Sequence, residues 1–149
     1  MLLLVRHAQA GDRLAWAGPD AARPLDGRGR RQAEALVAQL APYEVARIVS
    51  SPAARCVQTV EPLARARDLA VETDDALSID GQSTDGAALV ESLAGNPVVV
   101  CAHGGLEHAV LDDPPRWRKA ATIVLGPDLR VLEVLPPPDR SGRRGKAVG

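Results

Sequence analysis

Arg6 and His7 stand directly behind an aliphatic run, Met1 to Val5, and the same arrangement of apolar stretch followed by reactive residues returns twice along the chain. Ala46 to Ser50 leads into Ser51-Pro52-Ala53-Ala54-Arg55, and Val98 to Ala102 leads into His103-Gly104-Gly105. His7 to Arg55 and Arg55 to His103 are each 48 positions apart, so only a fold that aligns strand ends can gather them. Gathered, they make a pocket of two guanidinium groups and two imidazoles. Arginine offers a planar fork that matches the oxygens of a phosphoryl group. An imidazole that keeps one lone pair can attack phosphorus, and cationic neighbours disfavour its protonated form.

The elements that must position these groups can be read from periodicity. Continuous aliphatic stretches of four to five residues have the signature of parallel strands covered on both faces, and the residue after such a strand lies at the carboxyl edge of the sheet, where open α/β sheets place their sites. Between the strands, Ala33, Leu36, Val37, Leu40 and Ala41 recur at helical spacing over 28–41, with Asp26 as the expected cap and Pro42 as the stop. Ser51 is the expected cap of a second helix, with Pro52 at its first position, a buried stripe through Cys56, Val60 and Leu63, and a bend at Pro62. Arg55 then falls in the first turn, where free N–H groups and the helix dipole favour an anion. Residues 84–94 predict a third helix closed by Gly95, and 104–111 a short fourth. Residues 120–125 and 130–135 flank a Gly126-Pro127-Asp128 turn and predict a terminal strand pair. Alternating strands and helices imply a three-layer α/β/α sandwich with a mostly parallel central sheet.

Two stretches lack such a pattern. Residues 9–24, with Trp16 among Gly, Asp and Pro, read as a long loop over the carboxyl edge, where specificity elements sit. From Pro136 the chain is basic and without apolar period, which predicts a disordered tail over 136–149 behind a single domain at 1–135.

Composition sets bounds on partners. A chain of 149 residues with 46% hydrophobic side chains can bury a core without staples. Its 18 basic and 19 acidic side chains leave a net charge of −1, so there is no overall field to draw in nucleic acid or an anionic membrane, and anion affinity must be local. The opening apolar run is too short for a signal-peptide core or a membrane span, and the expected location is the cytoplasm. Cys56 and Cys101 fit neither a disulfide framework nor a zinc motif and read as reduced core thiols.

Four segments carry a resemblance. Leu4-Val5-Arg6-His7-Ala8, Pro24-Leu25-Asp26-Gly27-Arg28-Gly29, Ser50-Ser51-Pro52-Ala53-Ala54-Arg55 and Ala102-His103-Gly104-Gly105 resemble, in order, the signature segments of the histidine phosphatase superfamily, the phosphoglycerate-mutase-like fold. The resemblance spans roughly residues 1 to 135. It implies that His7 is the nucleophile and passes through a phosphohistidine that water hydrolyses. Arg6 and Arg55 would bind the phosphoryl group, His103 would donate to its oxygens in the transition state, and the Gly104 backbone would approach it unobstructed. No metal or other cofactor is required by this scheme.

The proton donor departs from the family pattern. Mutases and many phosphatases of this fold carry a glutamate after the second arginine, whereas this chain offers Asp74, Asp75, Asp80 and Asp85, of which Asp80 lies nearest the expected place. A weak or absent acid fits phosphohistidine as substrate, because an imidazole can leave already protonated. The length and economy of the chain resemble the small SixA-like phosphohistidine phosphatases, while the segments at 23–36 and 55–64 are also similar to histidine phosphatase domains that accompany Nudix hydrolases, which would direct the activity to nucleotides. The expected substrate is a phosphohistidine protein or a small phosphomonoester. A module that keeps the cage but only binds phosphoanions is a distinct, non-enzymatic reading. Arg13, on the loop past His7, could reach a substrate or simply face solvent, and His108 reads as a structural side chain. His103 and His108 lack the helical spacing of a metal-ligand pair.

Overall fold

The computed structural model describes residues 1–138; of the tail expected from Pro136, residues 139–149 lie outside the described part. The six strands are β1 (Leu2–Arg6), β2 (Arg47–Ser50), β3 (Val71–Thr73), β4 (Val98–Ala102), β5 (Thr122–Leu125) and β6 (Val131–Leu135). They form one sheet in the order β3-β2-β4-β1-β5-β6. The first four strands are mutually parallel, and β5 and β6 complete the sheet antiparallel. The terminal pair expected at 120–135 is this β5–β6 hairpin. The short strand β3 has no continuous apolar run, only Val71 with Glu72 and Thr73, and escapes a reading by hydrophobicity.

The aliphatic run of β1 is what a strand at the centre of a covered sheet requires. Leu2, Leu3, Leu4 and Val5 are each fully buried. Leu2 and Leu4 join Val90, Leu93 and Leu106 on one face, while Leu3 and Val5 join Leu36, Cys56, Val60 and Leu63 on the other. Each such side chain contributes about 1.5–3 kcal/mol by leaving water. The alternation therefore fixes three layers: α1 (Gly27–Gln39) and α2 (Ala54–Arg67) cover one face, and α3 (Ala87–Leu93) and α4 (Leu106–Val110) the other.

Two helices differ from expectation. α2 begins at Ala54 behind an Ala53 cap residue and runs through Pro62, and Ser51 is not its side-chain cap. The third helical segment opens with a π-helical turn, Gln82–Gly86, before α3 proper. Gly86 makes this possible, since a Cβ there would stand 2.9 Å from the Ala76 carbonyl oxygen. Beyond α3, Gly95 takes a positive φ of 86°, the conformation that favours glycine. Among the described residues no helix is long and apolar enough to cross a membrane.

Candidate active site

Sheet register brings the three strand ends together. Arg6 lies opposite Ala102 and Ser50 opposite Cys101, so His7, Ser51 and His103 each follow their strand at the same level. The ladder continues one step past the strands, with His7 N–H donating to the Ala102 carbonyl at 3.1 Å and Ser51 N–H to that of Cys101 at 2.9 Å. Because β4 lies between β1 and β2, His103 is flanked by His7 on one side and by the Ser51-to-Arg55 turn on the other. The two imidazole centroids are 5.5 Å apart, and His7, Arg55 and His103 are all buried.

The tautomer of His7 follows from its neighbour. Nδ1 lies 2.8 Å from the Ala8 carbonyl, which can only accept, so Nδ1 carries the proton and Nε2 keeps its lone pair. The His7 pKa is depressed to about 3, chiefly by burial; the Ala8 hydrogen bond opposes this, and the charges of Arg55, His103 and Arg6 add to it. The sequence reading gave the arginines the leading part, but desolvation of the ring leads. In the unfolded chain the ring takes a proton near its ordinary value of 6.5, so the folded state binds fewer protons below that pH and stability falls as pH drops from 6.5 toward 3. We expect the ring nitrogens of His7, followed by NMR, to show the neutral form at pH 5. A titration midpoint near 6.5 would contradict the geometry.

The two arginines are held differently. Arg6 Nη1 donates to the Trp117 carbonyl at 2.9 Å, and a Cβ on Gly104 would stand 2.8 Å from the Arg6 Cζ. The glycine thus makes room for a guanidinium as well as for any ligand. Arg55, only 2% exposed, points Nη1 at the Asp20 carbonyl (2.9 Å) and Nη2 at the Asp20 carboxylate (3.0 Å). The Nε atoms of both arginines are buried and have no hydrogen-bond partner among the described residues. Buried donors of this kind are costly unless an anion satisfies them.

Around His103 the structure adds residues that sequence reasoning did not single out. Ser51 Oγ lies 2.9 Å from His103 Nε2 and accepts from the Ala53 N–H at 3.3 Å. The two ring nitrogens of His103 are thus flanked by the Ser51 hydroxyl at Nε2 and, 3.5 Å away, by Arg55 Nη2 at Nδ1. Gln82 clamps the same loop: its Nε2 donates to the carbonyls of His103 and Gly104, and its Oε1 accepts from the His103 N–H. Thr59 Oγ1 accepts from the Ala8 N–H at 2.8 Å and donates to the Arg55 carbonyl at 2.7 Å, tying the His7 strand end to α2. Ser51 occupies the same post-strand position as His7 and His103, a signal available in the sequence; Gln82 and Thr59 carry none. Replacement of Ser51 by alanine is expected to lower kcat about tenfold with KM nearly unchanged, because the ring keeps its place but loses the hydroxyl that fixes its orientation. Steady-state kinetics on Ser51→Ala and Ser51→Thr, the latter rescuing, decides it.

The remaining candidates fall as follows. The cage opens into a cleft of about 640 Å³ whose lining includes Arg13, Gly104 and Ile79. Asp80, the acid expected from sequence, is exposed and absent from that lining; the chain turns at Ile79–Gly81 so that the apolar neighbour, not the carboxylate, faces the cleft. The carboxylate on the cage is Asp20, carried by a one-turn 3-10 helix (Asp20–Ala22) in the long loop. Burial pushes its carboxyl up, yet the charges and hydrogen bonds of Arg55 and Arg23 together hold it below its ordinary value. Cys56 and Cys101 are free and fully buried, with Cys56 Sγ packed 3.6 Å from His103 Nε2. His108 is exposed and lies 3.8 Å from Glu107, and the described residues contain no group of three or more metal-ligating side chains.

Comparison with known proteins decides the family. Residues 2–78 match the histidine phosphatase superfamily (branch 1). The chain belongs to that superfamily. Membership supports a phosphatase hydrolase; Arg6, His7 and Arg55 lie within the matched residues, and His103 lies beyond them. The chain is 40% identical over 109 residues to an 8-oxo-(d)GTP phosphatase of Mycolicibacterium smegmatis, a match that covers 69% of this chain and 34% of the relative. The chain thus spans about a third of the length of that relative. Among solved structures, the protein histidine phosphatase SixA in complex with tungstate superposes with a TM-score of 0.76 at 22% identity, covering 91% of this chain and 96% of the other. A phosphohistidine phosphatase SixA assigned in Agrobacterium tumefaciens gives 0.72 at 28% identity, covering 91% and 97%. The expected phosphoglycerate-mutase-like sandwich is the fold observed.

Proposed function

We propose that this chain hydrolyses phosphomonoesters, or phosphohistidine in a protein, through a phosphohistidine formed on His7 Nε2. The observation that carries the reading is the Nδ1 contact to Ala8, which leaves the Nε2 lone pair beside two guanidinium groups whose buried Nε donors are unpartnered among the described residues. In the first step Nε2 attacks phosphorus, the bond to the leaving group breaks, and its electron pair departs with that group. Arg6 and Arg55 take the phosphoryl oxygens, and the His103 ring donates to them as charge grows. Water then attacks the phosphohistidine, releases phosphate and restores the lone pair. Asp20, held ionised by Arg55 and Arg23, positions Arg55 and has no proton to give at neutral pH, so the site suits leaving groups that need little protonation.

A second reading, a nucleotide substrate, is supported by the similarity to the 8-oxo-(d)GTP phosphatase. The shared first step is tested by quenching turnover in alkali and in acid: phosphate bound to the protein is expected to survive alkali and be lost in acid. Steady turnover without such a species would overturn the mechanism. Saturable phosphate binding without any turnover would instead establish the binding-module alternative.

A further inference from the structure

Beside the cleft that holds the cage lies a second cavity of about 500 Å³, and the two share Arg6, Gln9 and Lys119. The second cavity is lined by Arg6, Arg28, Arg116, Arg118 and Lys119, against which Glu107 is the acidic member among the described residues. The Glu107 carboxylate already accepts the Gly105 N–H at 2.6 Å. Arg116, Arg118 and Lys119 come from one short segment, Pro114-Pro115-Arg116-Trp117-Arg118-Lys119, that is pinned at its centre. Trp117 is buried, its indole N–H donates to the Ala121 carbonyl, and its own carbonyl accepts from Arg6. The cations are thus carried on a fixed frame that touches the cage arginine itself.

Lys119 stands at the junction of the two cavities. It has no ion pair among the described residues. Burial lowers its pKa, and the nearby charges of Arg6, Arg23 and Arg55 lower it further against a weaker pull from Asp26. Like charges gathered this closely repel unless an anion lies between them. A lone phosphoryl group on His7 would satisfy the cage but would leave Arg116, Arg118 and Lys119 of the neighbouring cavity without an acidic partner among the described residues.

We infer that the second cavity receives further phosphates of the substrate, so that the preferred class is a small-molecule oligophosphate, such as a nucleoside triphosphate, cleaved at its terminal phosphoryl group. This rests on the His7 mechanism proposed above and names its substrate class. His7 Nε2 attacks the terminal phosphorus, the P–O bond to the next phosphate breaks, and the electron pair stays on that phosphate, whose oxyanion is a good leaving group without a proton donor. Water then cleaves the N–P bond, so one water is consumed and two phosphate-ended products result. The ionised Asp20 on Arg55 and the cationic cavity beside the cage follow from the same substrate. An acidic phosphoprotein would share the cations but has no need of a frame pinned at Trp117 against the cage arginine.

The test compares kcat/KM for GTP, inorganic triphosphate, a phosphohistidine peptide and p-nitrophenyl phosphate in the unmodified protein and in Arg116→Gln/Arg118→Gln. Both arginines are exposed, so the double change leaves the core untouched. Triphosphates are expected to be at least about tenfold better substrates than the aryl phosphate, and the double variant to lose about tenfold on triphosphates while staying within about twofold on the aryl phosphate, as expected for electrostatic contacts remote from the reacting atoms. Turnover of the aryl phosphate or the peptide with no preference for triphosphates, or equal losses on all substrates, would overturn the inference and leave the His7 mechanism standing. No turnover of any substrate would remove the mechanism and the inference together.

Discussion

Changing His7 to alanine is expected to abolish turnover of phosphomonoesters, a loss of at least about 10³-fold in kcat, because the step that splits the reaction in two no longer has a nucleophile. The fold should survive. The ring is buried, but its main chain is held independently of it, by the ladder bond from His7 N–H to Ala102 and the bond from Ala8 N–H to Thr59. Anion binding should survive as well, since Arg6 and Arg55 are unchanged, and removal of an imidazole held neutral takes away no charge. The discriminating measurement is therefore a pair: negligible turnover together with retained inhibitor-type binding of inorganic phosphate by calorimetry. Retention of turnover within tenfold of the parent would show that the nucleophile lies elsewhere. His7→Gln serves as a control, since it keeps a hydrogen-bonding side chain near Ala8 while offering no nucleophilic nitrogen.

Arg55→Lys is expected to lower kcat/KM by about 100-fold even though the charge is kept, since a point ammonium cannot reproduce a fork that bonds several oxygens at once. Arg55 spends both terminal nitrogens on Asp20 and sets its Nη2 3.5 Å from His103 Nδ1, so its plane also spaces the second imidazole from the loop. Lysine has one nitrogen for all these places. The loss should fall on both KM and kcat: the ground-state anion loses a donor, and the 3-10 turn bearing Asp20 loses the contact that seats it. A parallel measurement on Arg47→Lys, whose exposed pair with Glu72 lies at the opposite end of β2, should show no change in kinetics and at most about 1 kcal/mol in stability. Equal behaviour of the two variants would mean that Arg55 is only a charge.

The candidate cage was legible in sequence because each member follows an aliphatic strand, and parallel strands in one sheet end on the same edge. The register of Arg6 with Ala102 and of Ser50 with Cys101 is the physical form of that regularity. β3 was not legible, since Glu72 and Thr73 are exposed and the strand sits at the sheet edge with little to bury. The carboxylate at the cage escaped sequence reading for a related reason. Proximity in sequence to the second arginine favoured Asp80, whereas the loop after His7 folds back by the Ala10–Leu25 bridge and carries Asp20 to Arg55 across 35 positions. Nothing local in the loop announces that return.

The positions of the aliphatic strands, the helices at 27–39 and 54–67, and the identity of two arginines and two histidines as a group are properties of apolar pattern and residue type, and these the chain states in its linear order. The proton on His7 Nδ1, the Ser51 hydroxyl on His103, the Gln82 clamp, the Asp20 carboxylate on Arg55 and the joining of two cationic cavities at Lys119 are decided only in three dimensions. Hydrophobic periodicity reports which face of an element is buried, a one-body property of each segment. Hydrogen bonds and charge pairing between distant segments depend on distances of a few ångströms that no single segment contains.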